Sequence, residues 1–196
     1  MCLNYVSPPE LTAVRVVALV KPEKSNKPYG VRPIANRESL TRLPSSLIFN
    51  RISTEARDYL KPFQFGIKTI EGASVPSITS DVFFPIVSNI IKRNCIYDVL
   101  LQEFPELSAY FYLIYGKNSD LIFDTFTFES SSGVKQGDSL GPLLFCLAIH
   151  NTIEMTQKEF PELRIVAYMD DISVIGSYES ISRVSKDIAA NTKTLD

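Results

Sequence analysis

The chain has few of the residues that form metal, redox or hydrolytic sites on their own. Cysteine occurs three times, at Cys2, Cys95 and Cys146, and no two of these stand at the C-x-x-C spacing of a zinc or redox motif. The single histidine, His150, cannot form a histidine-rich metal site, and a Ser-His-Asp triad would need unusual partners for it. We therefore expect buried or free thiols in a reducing compartment and a histidine without a catalytic role.

Long apolar runs are also missing. A candidate run at residues 13–20 contains Arg15 and stops at Lys21, well below the roughly 20 apolar residues of a membrane span. No basic segment followed by an apolar core stands at the N-terminus, so a secretory leader is not expected. These absences predict an intracellular protein without a membrane, in the nucleus or cytoplasm, with an organelle left open.

Charge is unevenly distributed, although the net charge of the 196 residues is only −2. Residues 1–72 carry 11 Lys and Arg against 6 Asp and Glu, a net +5, and residues 73–196 carry 9 against 16, a net −7. This division is expected if the first part meets phosphates and the second holds cations, although solvated surface charge produces it too.

Strand pairs that alternate with helices, but not in strict βαβ order, predict an α+β fold. The predicted strands cover residues 13–20, 31–35, 121–128, 163–168 and 172–175. The predicted helices cover residues 38–60, 86–101, 105–115, 138–156 and 180–194. The first two strands should form a hairpin, and Pro44 predicts a kink or a late start in the first helix.

Two adjacent carboxylates, Asp170 and Asp171, stand at a predicted turn between two apolar strands, in the sequence Ala-Tyr-Met-Asp-Asp-Ile. Unit charges about 4 Å apart repel by roughly 4 kcal/mol at an effective dielectric of about 20, so a cation should offset the pair. Mg²⁺ prefers such hard oxygen ligands, and two ions can activate an attacking oxygen and stabilise a leaving one. A solvated turn without chemistry is the alternative, and the pair alone does not decide between them.

A second block, at residues 131–145, reads Ser-Ser-Gly-Val-Lys-Gln-Gly-Asp-Ser-Leu-Gly-Pro-Leu-Leu-Phe. Gln136 and Gly137 precede a predicted helix, where free backbone N–H groups can face a ligand, and an ordinary helix N-terminus is the alternative. Together with the Tyr-Met-Asp-Asp box, this block resembles the reverse transcriptases, most closely those of non-LTR, LINE-type retrotransposons.

Two further blocks extend the resemblance towards the N-terminus. Lys21 and Arg32, in the pattern Lys-Pro…Arg-Pro-Ile, and Arg42 are similar to the fingers of this family, although each taken alone is an ordinary surface cation. Gln64-Phe-Gly66, followed by Glu71-Gly-Ala73, resembles a further family segment. The four blocks stand in the family's order and span most of the chain.

The resemblance implies a right-hand polymerase with fingers at residues 1–72, a palm at residues 73–196 and no thumb. It implies an RNA-directed DNA polymerase that extends a DNA primer on an RNA template with dNTPs and Mg²⁺ or Mn²⁺. The implied roles are metal binding and catalysis for Asp170 and Asp171, nucleotide or template contact for Lys21, Arg32, Gln136, Gly137 and Tyr168, and contact with the nucleic-acid backbone for Arg42.

One position departs from the family pattern. The family carries a third metal-binding aspartate at the end of its first palm strand, in a pattern resembling D-x-x-N-A-F-N-x-I-x-R, whose tail matches Asn89 to Arg93. The aspartate position is then Phe83, and Asp81, two residues earlier, is the alternative ligand. The interval from Ala73 to Arg93 is also short for the family, which a deletion would explain.

Two hypotheses from different classes follow from these features. The first is a degenerate and truncated reverse transcriptase with impaired or lost activity, because two-ion catalysis would lack its bridging ligand. The second is an inactive domain that binds nucleic acid or serves as a structural subunit of a ribonucleoprotein, and a retroelement remnant without a role is not distinguished from it. All of them require the acidic turn to lie beside the helix opened by Gln136 and Gly137.

Overall fold

The computed structural model describes residue 8 and residues 12–20, 31–36, 39–69, 83–85, 91–135 and 137–184. The chain divides into two compact units, Met1–Arg51 with Ser88–Leu144, and Ile52–Val87 with Phe145–Asp196. The assignment of fingers to residues 1–72 and of palm to residues 73–196 stays a prediction.

Helices and strands are mixed along the chain, consistent with the expected α+β class. The elements are β1 (Val14–Val20), β2 (Val31–Asn36), α1 (Ser39–Leu60), β3 (Phe83–Pro85), α2 (Arg93–Glu103), α3 (Pro105–Tyr115), β4 (Ser119–Phe123), β5 (Phe126–Ser130), α4 (Gly141–Glu159), β6 (Arg164–Tyr168) and β7 (Asp171–Ile175). A helical segment begins at residue 178 and is described to residue 184. No helix in the described ranges is long and apolar enough to cross a bilayer.

The first unit contains a four-stranded sheet in the order β2-β1-β4-β5. The predicted hairpin of β1 and β2 is confirmed, and β4 pairs with β1 in parallel. The single strand predicted at residues 121–128 is wrong, because the chain reverses at residues 124–125 and returns as β5. Asp124 makes this reversal with a φ of 52°, a left-handed conformation that aspartate tolerates better than most residues.

Three helix boundaries differ from the predictions. The first helix continues through Pro44 from Ser39, so the late start is wrong. Of the helix predicted from residue 86, residues 86–90 lie outside the described residues, and the described helix begins at Arg93. The helix predicted to begin at Asp138 begins at Gly141, because residues 137–140 form turns that precede it.

Arg93 is the buried residue that ties the start of α2 to the loop after β5. Its guanidinium donates hydrogen bonds to the carbonyl oxygens of Gly133 (3.2 Å) and Ser130 (2.9 Å) and to the hydroxyl of Ser130 (2.9 Å). Burial lowers the pKa of the Arg93 guanidinium, which nevertheless stays cationic at ordinary pH. The loop that leads towards the Gln-Gly block is therefore fixed from one side.

The second unit contains a three-stranded antiparallel sheet in the order β3-β7-β6. Continuous apolar stretches in β6 and β7 explain their burial, since Val166, Ala167, Ile172 and Val174 all lie in the core. On α4 the buried residues Leu147, Ile149 and Ile153 belong to the same unit's core. This small sheet carries the acidic pair at one end.

Candidate functional site

The acidic pair lies at the turn of the β6–β7 hairpin, as predicted. Tyr168 and Asp171 are Cα partners, so Met169 and Asp170 are the two residues of the turn. Asp170 and Asp171 are both exposed, whereas Tyr168 and Met169 are half-buried. A cation from solvent can therefore reach both carboxylates.

Met169 adopts a backbone conformation that side chains disfavour, with a φ of 56°. A left-handed residue that is not glycine costs about 1–2 kcal/mol. Buried Gln64 contacts this residue on both sides: its Oε1 accepts a hydrogen bond from the Met169 N–H (2.6 Å), and its Nε2 donates one to the Met169 carbonyl (3.1 Å). One side-chain amide thus satisfies both backbone groups of the strained residue.

Gln64 reaches the turn because its own segment pairs with β6. The Phe65 N–H donates to the Ala167 carbonyl and the Ala167 N–H donates to the Phe63 carbonyl, each at 2.8 Å, around a parallel bridge between Gln64 and Ala167. A Cβ at Gly66 would lie 2.6 Å from Met169 Cγ and 2.7 Å from Met169 N, which leaves no room for any side chain there. The Gln-Phe-Gly segment is therefore a packing partner of the acidic turn.

Cys146, in the second turn of α4, lies within electrostatic range of Asp170. Burial raises the pKa of the Cys146 thiol above its ordinary value, and the negative charge of Asp170 raises it further. The side chain is 1% exposed, so the thiol stays protonated and does not supply a thiolate ligand. The acidic turn of the second unit accordingly lies near the part of α4 that belongs to the same unit.

Strand β3 pairs with β7 on the side opposite β6. Phe83 is the Cα partner of Ser173, and Pro85 is the Cα partner of Asp171. The position that the family pattern assigns to the third aspartate therefore lies on the strand next to the acidic turn, and a phenylalanine stands there. Asp81, the alternative ligand, lies outside the described residues.

The carboxylates of Asp170 and Asp171 offer oxygen ligands of the kind that Mg²⁺ and Mn²⁺ prefer. Within the described residues, no three His, Cys, Asp or Glu side chains are grouped closely enough to hold a metal ion. The donor set that the structure describes is thus chemically suitable for a hard divalent cation, and it consists of two protein ligands.

The Gln-Gly block lies in the first unit and is organised by buried polar contacts. Gln136 is outside the described residues, and Gly137 is exposed with a φ of 78°, a conformation that favours glycine. Asp138 is buried and accepts hydrogen bonds from the Tyr115 hydroxyl (2.5 Å) and the Leu140 N–H (3.2 Å), which fixes the turn leading into α4.

Lys135 is held inside this block and not merely accommodated in a loop. It is 4% exposed, and its Nζ donates to the carbonyl oxygens of Ile114 (2.8 Å) and Thr12 (3.3 Å). The same ammonium lies 5.4 Å from the centre of the Tyr115 ring, within the range of a cation–π interaction. Burial of its charge depends on all of these partners.

The remaining predicted site residues lie in the first unit or outside the described ranges. Lys21 is among the residues that are not described. Arg32 lies in β2 as the Cα partner of Leu19, and Arg42 is exposed on α1. Arg32, Arg42 and Gly137 belong to the first unit and the acidic turn to the second, so their placement around one nucleic-acid site stays a prediction.

Comparison with known proteins finds a similarity in the second half of the chain. Residues 101–194 match the family model described as reverse transcriptase (RNA-dependent DNA polymerase). These residues are similar to the reverse transcriptase family. The matched residues include the Gln-Gly block and the acidic turn. Phe83 lies before the matched residues.

A protein of a retrotransposable element, the SLACS 132 kDa protein of Trypanosoma brucei gambiense, is 26% identical to the chain over 190 residues. The alignment covers 89% of this chain and 16% of that protein, so the reverse transcriptase domain corresponds to a small part of the relative's length. Reverse transcriptases act on a nucleic-acid template and primer and generally use divalent metal ions. The resemblance drawn from the four blocks is confirmed at the level of the family.

Proposed function

We propose that this chain is the reverse transcriptase domain of a non-LTR retrotransposon whose acidic turn binds divalent cations while its polymerase activity is impaired. Asp170 and Asp171 hold Mg²⁺ or Mn²⁺, which when bound supplies positive charge to the phosphates and to the attacking oxygen. The residues proposed to contact the dNTP, RNA template or DNA primer are Lys21, Arg32, Arg42, Gln136, Gly137 and Tyr168. The relative from a retrotransposable element supports this origin.

The pairing of β3 with β7 carries the proposal. Pro85 is opposite Asp171, and Phe83 precedes it by two residues on the same strand. Phe83 pairs with Ser173, two residues along β7 from Asp171, and a phenylalanine there offers no oxygen ligand, whereas a carboxylate would. Without the bridging ligand, two-ion chemistry loses charge neutralisation and the positioning of the reacting oxygens.

An inactive nucleic-acid-binding or structural subunit of a ribonucleoprotein is the second candidate function. It is favoured by the combination of an acidic turn at which the described residues group no third ligand with an ordinary buried core, in which Val166, Ala167 and Val174 are 2% exposed or less. Such a subunit would keep the fold and the contacts to phosphates without turning over dNTPs.

Restoring the carboxylate tests the proposal. The test variant is Phe83→Asp, and the control is Phe84→Asp, which adds the same charge one residue further along β3. Both are measured for Mn²⁺ binding and for extension of an oligo(dT) primer on poly(A) with Mg²⁺. We expect Phe83→Asp to bind Mn²⁺ about tenfold more tightly than the unaltered chain, because affinity rises with the number of carboxylate ligands. Primer extension by the Phe83→Asp variant should also increase. Combining Phe83→Asp with Asp170→Asn should remove the gain in Mn²⁺ affinity and the gain in primer extension.

The contrary outcomes are distinct. Robust extension by the unaltered chain, abolished by Asp170→Asn, would overturn the impairment. Equal Mn²⁺ affinity of the Phe83→Asp and Phe84→Asp variants would reject position 83 as the site of the missing ligand. Nucleic-acid binding in a chain that shows no Mn²⁺ binding sensitive to Asp170→Asn would favour the subunit of a ribonucleoprotein.

A further inference from the structure

Gln64 is the only described side chain shown hydrogen-bonding the backbone on both sides of Met169, the residue that precedes the acidic pair. We infer that Gln64 is a positioning residue, which sets the orientation of the carboxylate-bearing turn for cation binding. This role rests on the proposed function of Asp170 and Asp171 and adds to it a residue from outside the hairpin.

The two hydrogen bonds act on the peptide groups that flank Met169. Its N–H belongs to the peptide that joins it to Tyr168, and its carbonyl belongs to the peptide that joins it to Asp170. Gln64 Oε1 accepts from the first, and Gln64 Nε2 donates to the second. Because peptide groups are planar, fixing both of them fixes the direction in which the chain enters Asp170.

The turn needs such support for two physical reasons. Met169 has a φ of 56°, which is unfavourable for a residue with a side chain. If the Gln64 amide is removed, relaxation of this backbone conformation lowers the free energy of the turn. Adjacent negative charges at Asp170 and Asp171 also repel each other and favour a more open arrangement. A neutral amide opposes both effects without adding charge of its own.

Gln64 is itself held firmly. It is 2% exposed, and its backbone neighbours pair with Ala167, two residues before Met169. Its Oε1 accepts a further hydrogen bond from the Gly66 N–H at 3.1 Å. Hydrogen bonds in such a buried position are strong because water does not compete for them.

Gln157 provides a matched control at the other end of β6. Its amide also makes three hydrogen bonds to backbone groups, donating to the carbonyls of Phe160 (3.2 Å) and Leu163 (2.6 Å) and accepting from the Ile165 N–H (3.2 Å). Gln64→Met and Gln157→Met each remove three side-chain hydrogen bonds to the backbone while keeping a side chain of similar length. Both variants should lose folding stability, and only Gln64→Met should alter the acidic turn.

Two readouts separate positioning from stability. The first is Mn²⁺ affinity by electron paramagnetic resonance, where we expect Gln64→Met to bind about tenfold more weakly than the unaltered chain, as for other residues that orient metal ligands. The second is hydrogen exchange of the Met169 amide, followed by NMR without metal, which should accelerate in Gln64→Met. Gln157→Met should match the unaltered chain in both measurements, at a temperature where both variants remain folded by circular dichroism.

Each outcome has one meaning. Mn²⁺ affinity lowered equally in both variants, or unchanged in Gln64→Met, overturns the positioning role. Absence of Mn²⁺ binding that depends on Asp170, with Met169 exchange accelerated only in Gln64→Met, overturns the proposed function and leaves Gln64 as a support of the turn alone. Unchanged Met169 exchange in Gln64→Met refutes the support itself.

Discussion

Gly66 and Met169 approach so closely that the identity of one residue limits the other. The position of a Cβ on Gly66 falls 2.6 Å from Met169 Cγ and 2.7 Å from the Met169 nitrogen. The second of these atoms belongs to the backbone and donates to Gln64, so it cannot move away without breaking that hydrogen bond. Glycine at position 66 is therefore required for the close packing of this segment against Met169.

Gly66→Ala is expected to lower the free energy of unfolding by about 1–3 kcal/mol, the cost of forcing extra atoms into a packed region. Urea denaturation measures this change, and Mn²⁺ affinity should fall with it because the clash displaces Met169. Gly141→Ala is the comparison, since the nearest atom to its Cβ is a carbonyl oxygen at 3.3 Å, a tight contact that needs a much smaller shift than the one at Gly66, and alanine favours the helix there. A Gly66→Ala variant as stable as the unaltered chain would contradict the contact.

At the scale of elements, the turn before α4 depends on contacts with α3. They involve Tyr115 at the end of that helix and Lys135, which precedes the turn. The Tyr115 hydroxyl, at the end of α3, donates to Asp138 and accepts from the Lys135 N–H at 3.3 Å. Lys135 Nζ joins this turn to the carbonyl of Ile114. The block that resembles the nucleotide site is therefore fixed through α3 as well as through its own sequence.

Lys135→Pro is expected to destabilise this chain. Proline removes both the N–H that meets Tyr115 and the ammonium that meets Ile114, and we expect a loss of about 2–4 kcal/mol. Lys135→Met, which keeps the N–H and the apolar stem, should cost less. Thermal unfolding of the two variants measures the difference, and a proline variant more stable than the methionine variant would contradict the network.

At the scale of the whole molecule, the uneven charge predicts how nucleic acid binds. The basic first part and the acidic remainder leave a net charge of −2, so attraction to phosphates depends on local cations and not on the overall field. Binding to an RNA–DNA duplex should weaken steeply as salt rises, because each phosphate contact releases counterions.

Fluorescence anisotropy across a salt series gives this slope. Arg42→Gln is expected to reduce the slope of log affinity against log salt by about one, the loss of one phosphate contact. Arg183→Gln removes an exposed arginine that pairs with Glu179 at 2.8 Å in the acidic part, and it should leave the slope unchanged. Affinity that ignores salt would reject phosphate contacts as the basis of binding.

The sequence by itself predicted the features that depend on neighbours along the chain. Apolar periodicity predicted β1, β2, α3 and the β6–β7 hairpin, and an aspartate pair between two apolar strands predicted the acidic turn. Periodicity failed at residues 121–128, where a two-residue turn interrupts an apolar stretch, and at residues 91–92, which precede the observed helix start at Arg93.

Only the tertiary structure decided which distant segments support the site. Gln64 and Met169 are 105 positions apart, β3 meets β7 across a similar interval, and Lys135 finds its partners in other elements. Short-range patterns carry no information about such pairs, because each is chosen by backbone pairing and packing within the folded unit. The acidic turn could therefore be predicted from the sequence, whereas the residues that hold it in place could not.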